Sequence, residues 1–381
     1  MSRQSYLGLT WDHPRGYVAL EKAAAQARDH GLHLQWQRQP LEGFESHPIE
    51  ELACQYDLIV LDHPHMGDAI AGDCLQPLEA LFDAATLQAW QAQSIGNTYE
   101  SYRYAGRHWA LPLDAASQVA AFRADRFEGP PPATWAATVE FARRHPVALS
   151  LAGPHAILSL FSISTAFGDA PAAATASRLF EGSGFATAWD LLQQLHALSF
   201  KGWAGRNPIG ILQALKEEAE AVYCPLVYGY VNYAVAGQGQ HAVQFGNVPA
   251  GPGGRLGSVL GGTGLAVSRR AQVSDTLRAH LVQLLSPSVQ GEFIPFAEGQ
   301  PSARAAWSDP RVNAAWGGFF RATRETLEQA IVRPRHPGYV AFQTAASERV
   351  RQALAQGLRA PQLAAALQTL YERHRPAGSE I

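Results

Sequence analysis

Short apolar runs, each closed by a loop of polar and aromatic residues, recur along the first third of the chain. Residues Tyr6 to Thr10 (YLGLT) predict a strand, with WDHPRG after it as a loop. Residues 17–30, YVALEKAAAQARDH, predict an alanine-rich helix stopped by Gly31. GLHLQWQ alternates as a strand does. DLIVLD, residues 57–62, is a continuous apolar run of the kind buried in a parallel sheet. The resulting β–loop–α–β–α–β order predicts an open, mostly parallel sheet. Ligands of such sheets bind beyond the carboxyl ends of the strands, which puts Trp11–Tyr17 and Asp62–Gly67 on one functional edge.

Further along, HWALPLD at 108–114 is an apolar strand interrupted by Pro112. Proline cannot donate to a sheet ladder, so this strand suits an edge or a crossing point. Thr134 is placed to cap the helix WAATVEFARRH. Residues 154–245 are largely helical in pattern, with glycine-rich breaks, and PAAATAS at 171–177 reads as a helix start or a loop. The turn-rich NVPAGPGGRLG precedes a strand-like SVLGGTGLAVS. A helix follows at roughly residues 271–285. The remainder is helical, broken by the loop VRPRHPGY at 332–339. No repeat and no long low-complexity segment interrupts this order.

The chain has 381 residues, a length that suits two lobes, and its 47% apolar content supports packed cores. Thirty Lys and Arg against 33 Asp and Glu leave a net charge of −3, without the basic face that nucleic acid requires. No apolar run approaches the ~18 residues that span a bilayer. The first residues, MSRQSYLGLTWDH, contain no apolar stretch like that of a signal peptide. The expectation is a cytoplasmic protein, or a record that starts at a trimmed or misassigned residue. Cys54, Cys74 and Cys224 match no zinc spacing, and an odd count argues against a disulfide framework; the expectation is three buried free thiols.

Taken in order, YLGLTWDHPRGY, DLIVLDHPHMGD, RHWALPLD, PPPATWAATVEFARR, AEAVYCPLVYGYVNYA, GSVLGGTGLAVSRRA and RPRHPGYVAF resemble the extracellular solute-binding proteins of ABC importers, of the maltose-binding-like class. The likeness covers most of the chain. HWALPLD is similar to the first hinge crossing of that family, GGTGLAVSRRA to the return crossing, and PPATW with its helix to the second lobe. RPRHPGYVAF is similar to the segment that re-enters the second lobe near the cleft. The resemblance implies an α/β, two-lobe periplasmic-binding-protein-like (type II) fold with discontinuous lobes and a hinge. Lobe one would comprise 1–112 and 264–312, and lobe two 113–263 and 313–375, followed by a tail at 376–381. It further implies a monomer that captures a small solute without a cofactor or metal, docks on importer permease subunits, binds no nucleic acid, and works in the periplasm.

The candidate ligand-binding residues lie in loops at this cleft. Trp11, Asp12, His13, Arg15 and Tyr17 form the densest polar and aromatic cluster; aromatic faces stack on sugars, while Asp, His and Arg fix hydroxyls or a carboxylate. Asp62 and His63 follow the second strand end. With His65 they invite a metal reading, but no further His or Cys motif completes a ligand set. Tyr99 precedes the crossing strand and Asp114 ends it. Tyr228 and Tyr230 belong to a run of four tyrosines in eleven residues, which offers contact area and hydroxyls at low entropy cost. Iron-binding relatives use tyrosines too, but as an adjacent pair, absent here. Gly262 and Thr263 sit in a Gly-Gly-Thr-Gly turn that lacks the dinucleotide fingerprint and fits hinge bending or close backbone approach. Arg335 and Tyr339 share the late loop with Arg333 and His336, where an arginine could pair with a ligand carboxylate. No nucleophile elbow, zincin helix or P-loop occurs, and no carboxylate pair is marked as a glycosidase dyad. Carbohydrate is therefore the expected ligand, with a carboxylate-bearing solute, or a sensor or enzyme on the same fold, as the alternatives.

Overall fold

The computed structural model describes residues 5–171, 177–218, 220–236 and 241–375. Most of the alanine-rich stretch at 171–177 and the whole tail at 376–381 lie outside them.

Nine strands are present among the described residues: β1 Ser5–Trp11, β2 His33–Gln39, β3 Leu58–Leu61, β4 Arg103–Tyr104, β5 Arg107–His108, β6 Leu111–Phe122, β7 Tyr223–Tyr228, β8 Gln244–Gly246 and β9 Leu260–Val267. β4 and β5 form a small hairpin. The other seven make one sheet in the order β2-β1-β3-β9-β6-β7, with β8 also on β6. β1 runs parallel to both β2 and β3. Every remaining pairing is antiparallel. The expectation of a mostly parallel sheet thus holds only for β2-β1-β3. The cause is β9, which returns from late in the chain and lies antiparallel to both β3 and β6.

The predicted strand at 108–114 begins at Leu111 and runs on to Phe122, buried at every position. Pro112 sits inside the sheet, opposite Gly264 of β9, and not at an edge. The register shifts between Pro112 and Asp114, an irregularity that accommodates the missing N–H donor.

α1 spans Pro14–Ala27, three residues ahead of its predicted start. His13 caps it by accepting the Arg15 backbone N–H, and Pro14 needs no partner at the first helical position. Thr134 caps the helix Trp135–Ala142 as its sequence predicts. Within the region read as helical lie helices His155–Ala166, Gly184–Leu198 and Pro208–Glu217, together with β7 and β8.

The apolar side chains gather into separate clusters. One contains Trp11, Leu20, Leu34, Leu58, Leu111, Leu113, Leu265 and Leu281. Two others contain Phe122, Phe161, Trp189 and Phe342, and Val119, Val227, Trp307 and Phe320. The crossing strands change cluster partway along: β6 between Leu113 and Ala115, β9 between Leu260 and Leu265. Cys74 and Cys224 are buried, but Cys54 is exposed; its short helix Ile49–Gln55 turns that side to solvent. The expectation of three buried thiols is corrected to two.

Candidate functional site

Where the strand order departs on either side of β1, a crevice opens at the carboxyl ends of β1 and β3, the place where α/β sheets bind ligands. A cavity occupies it, lined by Trp11, Arg15, Leu41, Phe44, Glu45, Asp62, Ala116, Tyr228, Tyr230, Gly261, Gly262 and Thr263. A second, small cavity shares Trp11, Arg15 and Thr263 with the first and is bordered by Leu20, Leu113, Asp114, Ile294 and Gln300.

Arg15 organises the wall between them. Its Nε donates to Asp114 Oδ2 at 2.9 Å, a second nitrogen to Asp114 Oδ1, and a third to the Gly229 carbonyl at 3.1 Å. The guanidinium lies 4.7 Å from the centre of the Tyr230 ring. Burial opposes the Arg15 charge, but the adjacent Asp114 carboxylate outweighs it and keeps Arg15 firmly protonated. One side chain of α1 thereby joins the first helix, a crossing strand and the aromatic loop after β7.

Asp62 is held in a similar way. It accepts the His63 backbone N–H at 2.8 Å and pairs with the buried Arg333. Burial acts to raise the Asp62 carboxyl, but the Arg333 charge and then His63 outweigh it, and the group lies well below the usual carboxylate range. His63, buried beside Arg333, is lowered to about 4 and stays neutral. Its Nε2 accepts the Arg333 backbone N–H at 3.3 Å. Glu45, at the end of helix Leu41–Ser46, faces His155 with 3.3 Å between Oε1 and Nε2.

Aromatic surface completes the wall. Trp11 packs on Phe44 with ring centres 5.2 Å apart. His13 meets the Tyr230 ring at 4.7 Å, edge to face, which presses that tyrosine toward Arg15. Burial and Arg15 lower His13 to about 3. Tyr228 carries His155 on its face at 5.8 Å. Gly262 has φ +92°, and a Cβ there would lie 2.4 Å from the Asp114 carbonyl, so only glycine lets β9 approach β6 this closely.

The cavity brings together seven of the residues singled out from the sequence: Trp11, Arg15, Asp62, Tyr228, Tyr230, Gly262 and Thr263. Asp114, His13 and His63 stand behind it and hold those side chains. The other five do not border it. Asp12 is exposed and 3.6 Å from Arg38, which also covers the Tyr17 ring at 3.3 Å. Tyr99 packs on His108 at 4.1 Å. Arg335 spends its guanidinium on the carbonyls of Glu100, Ser101 and Arg103, each at 2.8 Å. Tyr339 is fully buried in the core beside Phe342. Leu41, Phe44 and Glu45 were not anticipated, although they follow the carboxyl end of β2 and the strand-end rule reaches them. Among the described residues no group of three or more His, Cys, Asp or Glu side chains converges as a metal site.

Fold and crevice define the class: an α/β, two-lobe periplasmic-binding-protein-like (type II) architecture with discontinuous lobes and a hinge. No sequence-family model matches the chain. No curated protein matches it either. Solved structures do. The maltose-bound MalE3 of T. maritima superposes with a TM-score of 0.79 at 16% identity, over 97% of this chain and 99% of that one. A ribitol-bound ABC-transporter solute-binding protein from Agrobacterium radiobacter gives 0.78 at 19% identity, covering 97% and 98%. UgpB from Mycobacterium tuberculosis, bound to glycerophosphocholine, gives 0.75 at 14% identity, covering 98% of each chain.

Proposed function

We propose that this chain is the substrate-binding protein of an ABC importer, which captures an uncharged, hydroxyl-rich small solute, a sugar or polyol, in the crevice between two lobes. The lobes are 1–112 with 264–312 and 113–263 with 313–375, and they close about β6 and β9. The solute packs against the edge of Trp11 and the tyrosines 228 and 230, and is hydrogen-bonded by Asp62, Thr263 and Glu45. The closed form then docks on the permease subunits outside the cytoplasm. In this reading the protein releases its solute unchanged.

The observation that carries this reading is the charge state of the cavity wall. Arg15 is neutralised by Asp114 and Arg333 by Asp62, so neither arginine is left for an anion. What faces the cavity is aromatic surface and neutral or acceptor groups, which suits hydroxyls and disfavours the carboxylate-bearing alternative. Of the three similar structures, the maltose-bound and ribitol-bound ones support the same class, and the glycerophosphocholine-bound one does not. Micromolar affinity asks for only ~8 kcal/mol, within reach of stacked rings and a few hydrogen bonds.

A thermal-shift screen with ribitol, D-mannitol, maltose and citrate tests it. A ligand that binds the native state alone raises the melting temperature. A rise with a neutral compound that is recovered unchanged is the expected result. The Trp11→Ala and Tyr230→Ala variants should fold and bind that compound more weakly. A rise with citrate alone, or consumption of the bound compound, refutes the proposal.

A further inference from the structure

Two residues that line both cavities each carry a buried polar atom that pairs with nothing among the described residues: Trp11 Nε1 and Thr263 Oγ1. Both side chains are more than nine-tenths buried. Buried polar groups are ordinarily satisfied, and an orphan costs free energy that the native state must recover elsewhere. Neither atom is free to turn toward solvent. The Trp11 indole is fixed between the Phe44 ring and the backbone of Gly16, where even a Cβ would lie 2.5 Å from the indole. Thr263 is the one side chain that the Gly-Gly-Thr-Gly run of β9 presents, opposite Asp114 in the ladder.

We infer that Trp11 Nε1 and Thr263 Oγ1 form a hydroxyl-selective subsite at the inner end of the cavity and decide which solutes the crevice accepts. The inference rests on the proposed solute-binding role. Its chemistry follows from the donor inventory. An indole N–H only donates, so the ligand atom must accept. The threonine hydroxyl donates or accepts. A ligand hydroxyl satisfies both at once, accepting from Trp11 and donating to Thr263. An ammonium cannot accept from the indole. A methyl or methylene leaves both atoms unpaired. Sites built to hydrogen-bond a hydroxyl discriminate strongly against the analogue that lacks it.

The test uses the full chain and whichever of ribitol, D-mannitol and maltose binds it most tightly, with the monodeoxy analogues of that compound. Loss of one particular hydroxyl should weaken binding about ten- to hundredfold, while loss of a rim hydroxyl costs much less. Thr263→Val keeps the shape and removes the hydroxyl. It should reduce affinity for the parent compound by a similar factor and erase much of the penalty for the critical deoxy analogue. It should also raise the melting temperature of the unliganded protein, by about 2 °C, because an unpaired buried hydroxyl has gone. Thr263→Ser should restore binding. A hydroxyl with a merely structural role would show the opposite: lower unliganded stability and unchanged discrimination. Equal affinity of wild type and Thr263→Val for every analogue overturns the subsite while leaving the crevice as the binding site. Failure of all three parent compounds to bind overturns the proposed function, and the subsite with it.

Discussion

Replacing Asp114 by alanine should be among the most damaging single changes to this fold, and the reason is Arg15. Both residues are almost wholly buried. The carboxylate takes two of the guanidinium's hydrogen bonds, and the Gly229 carbonyl takes a third. Removing Asp114 leaves a buried cation with one neutral acceptor. Breaking such a pair from one side costs about 3–5 kcal/mol, whereas replacing both members by apolar residues of similar volume is often neutral. The expected pattern is therefore asymmetric. Asp114→Leu, like Asp114→Ala, loses about 4 kcal/mol, and adding Arg15→Met to Asp114→Leu recovers most of it. The coupling energy of the cycle should exceed about 3 kcal/mol, because removing either partner alone strands the other. Urea unfolding of the wild type, both single variants and the double variant, followed by far-ultraviolet circular dichroism, measures all four corners. Losses that add to within about 0.5 kcal/mol would show that the two side chains do not depend on each other, and the account of Arg15 as the joint between helix, strand and loop would fail.

Two further outcomes follow from buried groups away from the crevice. His280, lowered to about 4 by burial, stays neutral in the fold while the unfolded chain takes up a proton near pH 6.5, so its contribution is present above pH 6.5 and is lost as pH falls toward 4. His280→Leu should remove up to about 1.4 kcal/mol per pH unit from the slope of stability over that window; an unchanged slope in denaturation at pH 4.5, 5.5 and 6.5 would contradict it. A thiol reagent should label one cysteine in the native protein, the exposed Cys54, and three after denaturation, since burial raises the Cys74 thiol to about 11 and that of Cys224 to about 12; rapid native labelling of two or three would show that these sites open.

What the sequence disclosed was local. Trp11 and Asp62 could be placed in the crevice because apolar runs announce β1 and β3, and a strand's carboxyl end is where a binding loop begins. The same rule applied to β2 would have reached Phe44 and Glu45, but GLHLQWQ ends in polar residues and marks its end poorly. The late arginines divide instructively. Arg333 does pair with a carboxylate, but with Asp62 of this chain, 271 residues away. Arg335 is absorbed by backbone carbonyls. No local pattern distinguishes an arginine waiting for a ligand from one already satisfied in the fold. The apolar pattern marks β6 only as far as Asp114, because its second half, AASQVAAF, is dominated by alanine, which carries little strand preference. Its extension is imposed by β9 and then β8 along one side and by β7 along the other.

The placement of β9 also bears on how the chain is made. β3 is a bare LIVL run, and its outer neighbour is β9. During synthesis at about 5–20 residues per second, roughly 200 further residues, or some 10–40 s, separate the appearance of β3 from that of its partner. Until then the nascent chain carries an unpaired apolar edge, the kind of surface that invites wrong pairing. β6 also waits for β9, over a shorter stretch of chain. The sheet therefore cannot be completed until β9, and with it most of the chain, has emerged. Slow, late folding, with a need for something to shield that edge meanwhile, is built into the same crossing that lets the lobes share a hinge.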